Sequence, residues 1–375
     1  MRVLHLVTRL NIGGITRHLA AFLPHLECEF LLAAGVCVDE PEESVPFDVI
    51  RLPHLVRPVH PVKDVLAFWE ILSLLRRVRP DILHTHMAKA GWLGRIAAKV
   101  LGIPCVHTYH GNIFAGHFNR LTTVFLRALE RATVPLLNGA VYVSPSCMEA
   151  LIREVGSPRC VCVIVPAFDA GGLRNRKQAV GDFPQVGTQN QVVVGWLGRM
   201  VKVKRPELAV SAVAQVDGCR LVMAGDGEAR PATEKLAAEI AREKVEFLGW
   251  VSQEKIWDFL KRVDLFLMTS VAEGFVLSLV NALHAGVPVV AVEAQGVVDV
   301  MGTDAGDGIK FCDAGIVCKE ELLAEALRQA IERLDEMKSR VSAAWERVWR
   351  MVNPKAVAEA HLRFYQQVLG GRRDG

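Results

Sequence analysis

The chain has 375 residues, of which 51% are hydrophobic, 23% charged and 7% aromatic, with 44 Lys and Arg against 41 Asp and Glu. This composition excludes a disordered or collagen-like chain, and a net charge of +3 does not mark a nucleic-acid binder. The length predicts two domains, each able to fold without disulfide or metal staples. The mean hydropathy of +0.25 is high. It asks whether the chain crosses a membrane, rests on one, or has fully buried strands.

No stretch of about 18 apolar residues free of charge is found, so no spanning helix is predicted. Met1–Val7 begins like a short signal peptide, but its apolar part is brief and Thr8-Arg9 follow without a small-residue cleavage site. It reads as a first buried strand. Further strands are expected at 30–36, 48–52, 81–85, 104–108, 140–143 and 161–165, with helices at 16–26 and 62–78. In the latter, Val65, Leu66, Trp69, Leu72 and Leu75 recur at helical spacing. The strands are rich in Val, Ile and Leu without clean alternation, which suggests parallel sheets covered on both faces. The polar, Gly-rich stretch 169–190 reads as a linker. After it the alternation restarts, with strands near 191–197, 219–224, 244–248, 264–268, 287–292 and 315–317. Helical patterns at 319–350 and 354–369 close the chain, separated by Asn353-Pro354. The nine cysteines include no CxxC pair and sit mostly in apolar runs; they read as reduced core residues, which favours a cytoplasmic protein.

Four clusters carry chemistry. The first strand ends in a loop containing Gly13-Gly14, a pair that allows close backbone approach before a helix N-terminus suited to an anion. It is not GxGxxG, and a plain tight turn explains it equally well. The second cluster is His84-Thr85-His86 with His107-Thr108-Tyr109-His110, both at the carboxyl ends of strands. Four histidines could suggest zinc, but HExxH and a partnering cysteine set are missing. Hydrogen bonding to a polyhydroxylated ligand fits better, with a satisfied structural role as the alternative for His84, His86 and His107. The third cluster, Gly198-Arg199 through Lys204, places cations just past a strand, where they can hold a diphosphate or form a solvated loop. The fourth is Glu273-Gly274-Phe275-Val276-Leu277, a carboxylate followed by a glycine and a helix start.

Taken together, the chain resembles the family-4 retaining glycosyltransferases of the GT-B fold. The likeness runs through Gly13-Gly14, His84–His86, Tyr109-His110-Gly111, Val143-Ser144, Ile164–Asp169, Gly198-Arg199, Lys204, Ala224–Glu228, Phe247–Gly249 and Glu273–Phe275. It is nearest to bacterial enzymes that build capsule, exopolysaccharide or lipid-linked glycans. The resemblance implies two Rossmann-like doubly wound α/β domains facing a cleft. Residues 1–168 would bind acceptor, 169–190 link, 191–352 bind the nucleotide sugar, and 353–375 form a helix crossing back to the first domain.

By the same likeness, His110 lies by the transferred sugar, Arg199 and Lys204 hold the diphosphate, and Glu273 touches the donor sugar. Gly13, Gly14, Gly198, Gly249 and Gly274 line the donor, with backbone groups of Phe275, Val276 and Leu277 on its phosphates. No metal or other cofactor is expected, because the cations and a helix dipole take that role. Retention would then follow from front-face attack at the anomeric carbon. Asn281 stands where the family has a second glutamate for the ribose, which implies a weaker donor site of altered nucleotide preference. Pro166-Ala167-Phe168-Asp169 also departs from the family's usual Asn-Gly turn.

The implied reaction moves a sugar from an NDP-sugar, uridine-based by preference, to a glycan or lipid-linked acceptor in cell-surface polysaccharide synthesis. A nucleotide-sugar 2-epimerase and a non-catalytic nucleotide-sugar-binding protein are the alternatives. The segment 113–137 mixes Ile113, Phe114, Phe118, Leu121, Val124 and Phe125 with Arg120, Arg127 and Arg131. It is expected either to rest on the inner face of the cell membrane or to pack as a helix with its arginines outward.

Overall fold

The computed structural model describes residues 1–38, 41–112, 114, 120–170 and 191–371. Ile113, Phe118 and most of the expected linker lie outside these residues. The chain divides into two compact units, Met1–Asp169 with Met351–Gly375, and Ala170–Arg350.

Unit 1 runs β1 (Arg2–Val7), α1 (Gly14–Phe22), β2 (Glu29–Ala34), β3 (Val49–Arg51), α2 (Pro61–Val78), β4 (Ile82–His86) and α3 (Ala88–Leu101). It continues with β5 (Cys105–Tyr109), α4 (Arg120–Thr133), β6 (Gly139–Tyr142), α5 (Pro145–Val155) and β7 (Cys160–Val163). Its parallel sheet has the order β3-β2-β1-β4-β5-β6-β7. Unit 2 contains β8 (Val192–Leu197), α6 (Pro206–Ala214), β9 (Cys219–Ala224), α7 (Arg230–Ile240), β10 (Val245–Gly249), α8 (Gln253–Lys261) and β11 (Leu265–Met268). Next come α9 (Leu277–His284), β12 (Val289–Val292), α10 (Val297–Met301), β13 (Ile309–Cys312), β14 (Gly315–Cys318) and α11 (Leu323–Glu332). The sheet order is β10-β9-β8-β11-β12-β14-β13, with β13 antiparallel to β14. Helix α12 (Leu334–Val352) leads back into unit 1, where α13 (Pro354–Gly370) lies.

The strands form where apolar runs can be covered twice. Val3 and Val7 of β1 face α1 and α13, with Leu19, Phe22, Phe364 and Tyr365, whereas Leu4 and Leu6 face α2 and α3. Helix starts follow their capping residues. Ser144 accepts from the Cys147 amide ahead of Pro145, and Asn353 accepts from Lys355 and Ala356 ahead of Pro354. Helix α13 docks against β6 closely enough that a Cβ at Gly139 would stand 2.8 Å from Phe364.

Several expectations need correction. The run 16–26 is α1 plus a 3₁₀ turn at Leu23–His25, where Pro24 has no amide to continue the helix. The pattern 319–350 breaks near Arg333 into α11 and α12. Strand β13 is an addition to the expected set; its short run Ile309–Cys312 contains an exposed lysine and pairs with β14 at the sheet edge. In α2, Ala67, Ile71, Leu72, Leu74 and Leu75 face the core, while Val65, Leu66 and Trp69 point outward, because the helix carries two apolar stripes and the sheet covers one.

Among the described residues, one ion pair is fully enclosed. Arg95 of α3 donates to Glu130 of α4 at 2.6 Å, and Glu130 also accepts from Tyr109 Oη at 2.5 Å and Trp92 Nε1 at 2.6 Å. Their side chains are 0% and 2% exposed. This network fixes Tyr109, the last residue of β5. Glu130→Leu strands a buried guanidinium and should cost about 3–5 kcal/mol. Urea unfolding should find the Arg95→Met/Glu130→Leu double variant more stable than Glu130→Leu alone; equal stabilities would mean that the pair does not act as a unit.

Candidate active site

In an open parallel sheet, ligands bind outside the carboxyl ends of the strands where the strand order reverses, because the two loops leaving that point part in opposite directions. Unit 1 has this point between β1 and β4, and unit 2 between β8 and β11. Most of the residues singled out from the sequence lie in loops near these points, while Gly249 ends β10 at the sheet edge.

In unit 2 the loop after β8 carries Gly198, Arg199 and Lys204, and the loop after β11 carries Glu273 and Gly274. Lys204 Nζ lies 2.6 Å from Glu273 Oε1, with side chains 20% and 16% exposed. The two loops are strapped together. Trp196 Nε1 donates to Thr269 Oγ1 at 3.1 Å, Thr269 Oγ1 donates to the Lys204 carbonyl at 2.8 Å, and the Val271 amide donates to the Val203 carbonyl at 3.0 Å. Arg199 is exposed, and its guanidinium has no partner among the described residues. Helix α9 starts after Val276 without a side-chain cap, so Phe275, Val276 and Leu277 stand at a bare, electropositive helix N-terminus.

Asn281 is buried in α9, where Nδ2 donates to the Leu277 carbonyl at 2.8 Å and Oδ1 has no partner among the described residues. Gly249 ends β10, and its carbonyl accepts from the Gly225 amide at 2.7 Å.

The glycines differ in the room around them. A Cβ on Gly198 would meet nothing closer than 3.6 Å, so this position has room for a side chain. Close approach is required instead at Gly225, with φ +138°, where a Cβ would stand 1.8 Å from the Gly198 carbonyl oxygen. Gly296, with φ +77°, similarly passes against the backbone of Glu273, whose amide donates to the Gln295 carbonyl at 3.0 Å.

In unit 1 the Gly13-Gly14 loop opens α1, and Gly14 is exposed. The Gly13 amide already has an anion: it donates to Glu43 Oε2 at 3.1 Å, and Arg17 pairs with Glu43 Oε1 at 2.9 Å. Glu43 gives no sequence signal, because it lies in the β2–β3 connection with no motif around it. Met87, just after β4, has φ +65°, a strained value for a side-chain-bearing residue and one that recurs at functional sites.

Below these loops lies a histidine cluster only half visible in the sequence. His5 and His84 are register partners on adjacent strands, and His86 lies two residues along on the same face. His84 binds Tyr365 Oη at 2.6 Å through Nδ1 and Thr108 Oγ1 at 2.7 Å through Nε2. His86 Nε2 lies 3.1 Å from His5 Nδ1, and His86 Nδ1 lies 3.0 Å from His110 Nε2. His18 of α1 accepts from the Ala167 amide at 2.9 Å, which ties α1 to the departing Pro166–Asp169 segment. His361 of α13 stacks on Phe22. His107 faces the other side, 2.8 Å from Thr85 Oγ1.

Burial lowers all of these imidazoles: His5, His110 and His361 to about 3, and His18, His84, His86 and His107 well below the usual histidine value. His5, His18, His361 and Tyr365 escape sequence reasoning because no spacing links them to residues 84–110. Only the strand register and α13 bring them there.

Among the described residues, His5, His84 and His86 each offer a ring nitrogen within 4.8 Å of the others and form a group that could hold a cation. Both nitrogens of His84 are committed to Tyr365 and Thr108, and no carboxylate belongs to the group. The donor set fits a hydrogen-bonded cluster better than a metal centre.

Two Rossmann-like units with charged or polar loops at their strand-order reversals define the GT-B class of two-domain transferases. The Glycosyltransferase Family 4 profile matches residues 12–170, and the Glycosyl transferases group 1 profile matches residues 182–346. The chain belongs to the family-4 glycosyltransferases. It is 26% identical over 282 residues to the UDP-Gal:alpha-D-GlcNAc-diphosphoundecaprenol alpha-1,3-galactosyltransferase of Escherichia coli, covering 70% of each chain. It is 27% identical to the lipopolysaccharide core biosynthesis glycosyltransferase LpsD of Rhizobium meliloti, covering 82% of this chain and 81% of that one. In fold it is similar to Anabaena HepE, solved in complex with UDP, at a TM-score of 0.74 with 18% identity, covering 98% of this chain and all of the other (100%). The 2-epimerase and the non-catalytic binder are not favoured.

The neutral cluster makes a pH prediction. In the unfolded chain these histidines take up protons below about pH 6.5, whereas in the fold they resist protonation. Stability is therefore full above that pH and falls as the pH drops from about 6.5 toward 3. Each fully buried histidine withdraws on the order of 1.4 kcal/mol per pH unit. Urea midpoints at pH 7.5, 6 and 5 should decline steadily, and replacing His361 by Phe should flatten the slope.

Proposed function

We propose that the enzyme transfers a sugar from a UDP-sugar to a lipid-linked or other glycan acceptor in cell-surface polysaccharide synthesis. The observation that carries this reading is the charge arrangement at the reversal point of unit 2. Lys204 is held by Glu273, Arg199 is exposed, and the uncapped N-terminus of α9 follows. This constellation suits a diphosphate leaving group, whose growing charge the two cations and the helix amides stabilise without needing a divalent ion. Glu273 faces the donor sugar, and Asn281, whose Oδ1 is buried without a partner among the described residues, takes the ribose position of the family's second glutamate. His110 donates to the transferred sugar. In the retaining mechanism the acceptor hydroxyl attacks from the face the leaving phosphate vacates, and that phosphate takes its proton. Support for uridine and for a lipid diphosphate acceptor comes from the name of the Escherichia coli relative.

A lipid-linked acceptor calls for a unit 1 that works beside a lipid surface. Among the described residues no helix is long and apolar enough to cross a membrane. Helix α4, however, turns Leu121 and Phe125 outward, 84% and 66% exposed, with Val124 between them. Two of its arginines are engaged by α5: Arg127 donates to Glu154 Oε2 at 2.9 Å and Arg131 to the Glu154 carbonyl at 2.6 Å. Arg120 and Arg131 are exposed and Arg127 is half-buried, so the arginines flank the apolar face rather than lie on it. Unit 1 has further exposed apolar residues, Val62, Val65, Leu66 and Trp69 on α2 and Val100 on α3, and Arg76, Arg77 and Lys99 are exposed as well. An apolar face flanked by cations suits an anionic bilayer.

A thermal-shift series with UDP, UDP-galactose, UDP-glucose, UDP-GlcNAc and GDP-mannose tests the donor. A ligand at a hundred times its Kd adds about 2.7 kcal/mol to the stability of the folded state. UDP-sugars should raise Tm more than the GDP-sugar, and Lys204→Ala should abolish the shift and lower kcat/KM about 10²–10³-fold. No shift and no turnover with any donor would overturn the assignment. For the surface, full-length protein should pellet with vesicles containing phosphatidylglycerol, and a Leu121→Ser/Val124→Ser/Phe125→Ser variant should remain in solution. Equal pelleting of the two proteins would remove α4 from the contact.

A further inference from the structure

The three imidazoles His5, His86 and His110 form a line that ends at the site of unit 1. His5 Nδ1 meets His86 Nε2 at 3.1 Å, and His86 Nδ1 meets His110 Nε2 at 3.0 Å. A neutral imidazole carries one N–H and one lone pair, so every contact in the line needs one proton and the protons must all point the same way. Two registers satisfy this. In the first, His5 Nδ1–H donates to His86, His86 Nδ1–H donates to His110 Nε2, and His110 keeps its own proton on Nδ1. In the second, His110 Nε2–H donates to His86, His86 Nε2–H donates to His5, and the proton of His5 falls on Nε2.

His5 Nε2 is buried and has no partner among the described residues. The second register would leave an N–H orphaned there, which is the rarer state in folded proteins; the first leaves only a bare lone pair. Burial also keeps each ring neutral, so no extra proton can relax the choice. His110 is partly exposed, and its Nδ1 is the ring nitrogen that the line leaves free.

We propose that His5 and His86 are positioning residues that fix the tautomer of His110, so that His110 presents an Nδ1–H donor to a hydroxyl or ring oxygen of the ligand. The inference rests on the reading that places His110 beside the sugar. Its physical core, a tautomer set from two residues away, holds without any substrate. His5 and His86 contribute the direction of a hydrogen bond, and neither touches the ligand in this scheme. The same arrangement explains why two polar side chains are retained in a strand interior that valine or leucine would fill at lower desolvation cost.

The test is long-range ¹H–¹⁵N correlation NMR of the full chain labelled with ¹⁵N-histidine, at pH 7.5 without ligand. His110 is assigned by the signals lost in His110→Gln. The expected spectrum shows His110 protonated at Nδ1. In His86→Phe the bond that holds this tautomer is gone, and His110 should revert to a mixture dominated by the Nε2–H form. His86→Asn can still donate to His110 Nε2 and should keep the Nδ1–H form. If His86→Phe fails to fold, His5→Phe removes the bias from the far end of the line and should also give a mixture.

An Nε2–H signal for His110 in the unaltered chain overturns the proposal, as does an Nδ1–H signal that persists when the line is cut. In the transfer assay His86→Phe should lower kcat about tenfold with donor KM nearly unchanged, equivalent to about one hydrogen bond, and His86→Asn should restore most of it. A chain with the expected tautomer but no transfer would count against the function alone. A transferring chain with the opposite tautomer would count against this inference alone.

Discussion

A parallel sheet covered by helices on both faces leaves its chemistry only one place to go. Side chains along β1, β4, β8 and β11 are buried from both sides, so charged groups cannot be accommodated there without a partner. The loops at the carboxyl ends escape that constraint, and the reversal of strand order opens a gap between two of them. Lys204 and Glu273 of unit 2 sit at such a gap, and so do Gly13 and Met87 of unit 1. The positions of the candidate residues thus follow from the cost of burying charge, before any particular reaction is considered.

The histidine cluster shows how the same constraint handles polar groups kept inside. Desolvation holds the rings neutral, and neutral rings can share hydrogen bonds with each other, with Thr108 and with Tyr365. Tyr365 belongs to α13, so the last helix of the chain completes a network begun by its first strand. Arg95 and Glu130 solve the opposite problem on the other face of the sheet, where a full charge is tolerated because it is paired and further bonded to Tyr109 and Trp92. Tyr109 immediately precedes His110, so each face of the sheet braces one of two neighbouring residues at the end of β5.

What is legible in the sequence is local. Unbroken apolar runs locate most strands within a residue or two, because a doubly covered strand has no other composition available to it. Arg199, Lys204 and Glu273 stand out because charge just after such a run has few structural uses. The failures share a cause as well. His5, His361 and Glu130 are isolated polar letters whose partners lie far along the chain, in neighbouring strands or docked helices. The separation is 81 positions for His5 and His86, and 281 for His84 and Tyr365. Gly225 rather than Gly198 is the glycine that packing demands, because the close approach belongs to the backbone of β9 passing that of β8, a relation between strands that no single motif records. The two apolar stripes of α2 look alike in sequence, and only the position of the sheet decides which is core.

The two units bring unlike chemistry to their reversal points. Unit 2 offers permanent cations, Arg199 and Lys204, and a bare helix N-terminus, groups suited to a ligand that is charged before and after reaction. Unit 1 offers an imidazole that stays neutral at physiological pH, and the amide of its glycine loop is already satisfied by Glu43. A neutral donor discriminates among hydroxyl oxygens by direction rather than by charge, and a carboxylate at the loop would repel a phosphate that strayed there. Sugar transfer from a nucleotide diphosphate requires both kinds of surface, one that stabilises a departing dianion and one that orients uncharged hydroxyls without attracting the leaving group. Both sets of groups stand on the same sheet architecture, the cations of unit 2 in loops after its strands and the imidazoles of unit 1 partly within the strands themselves.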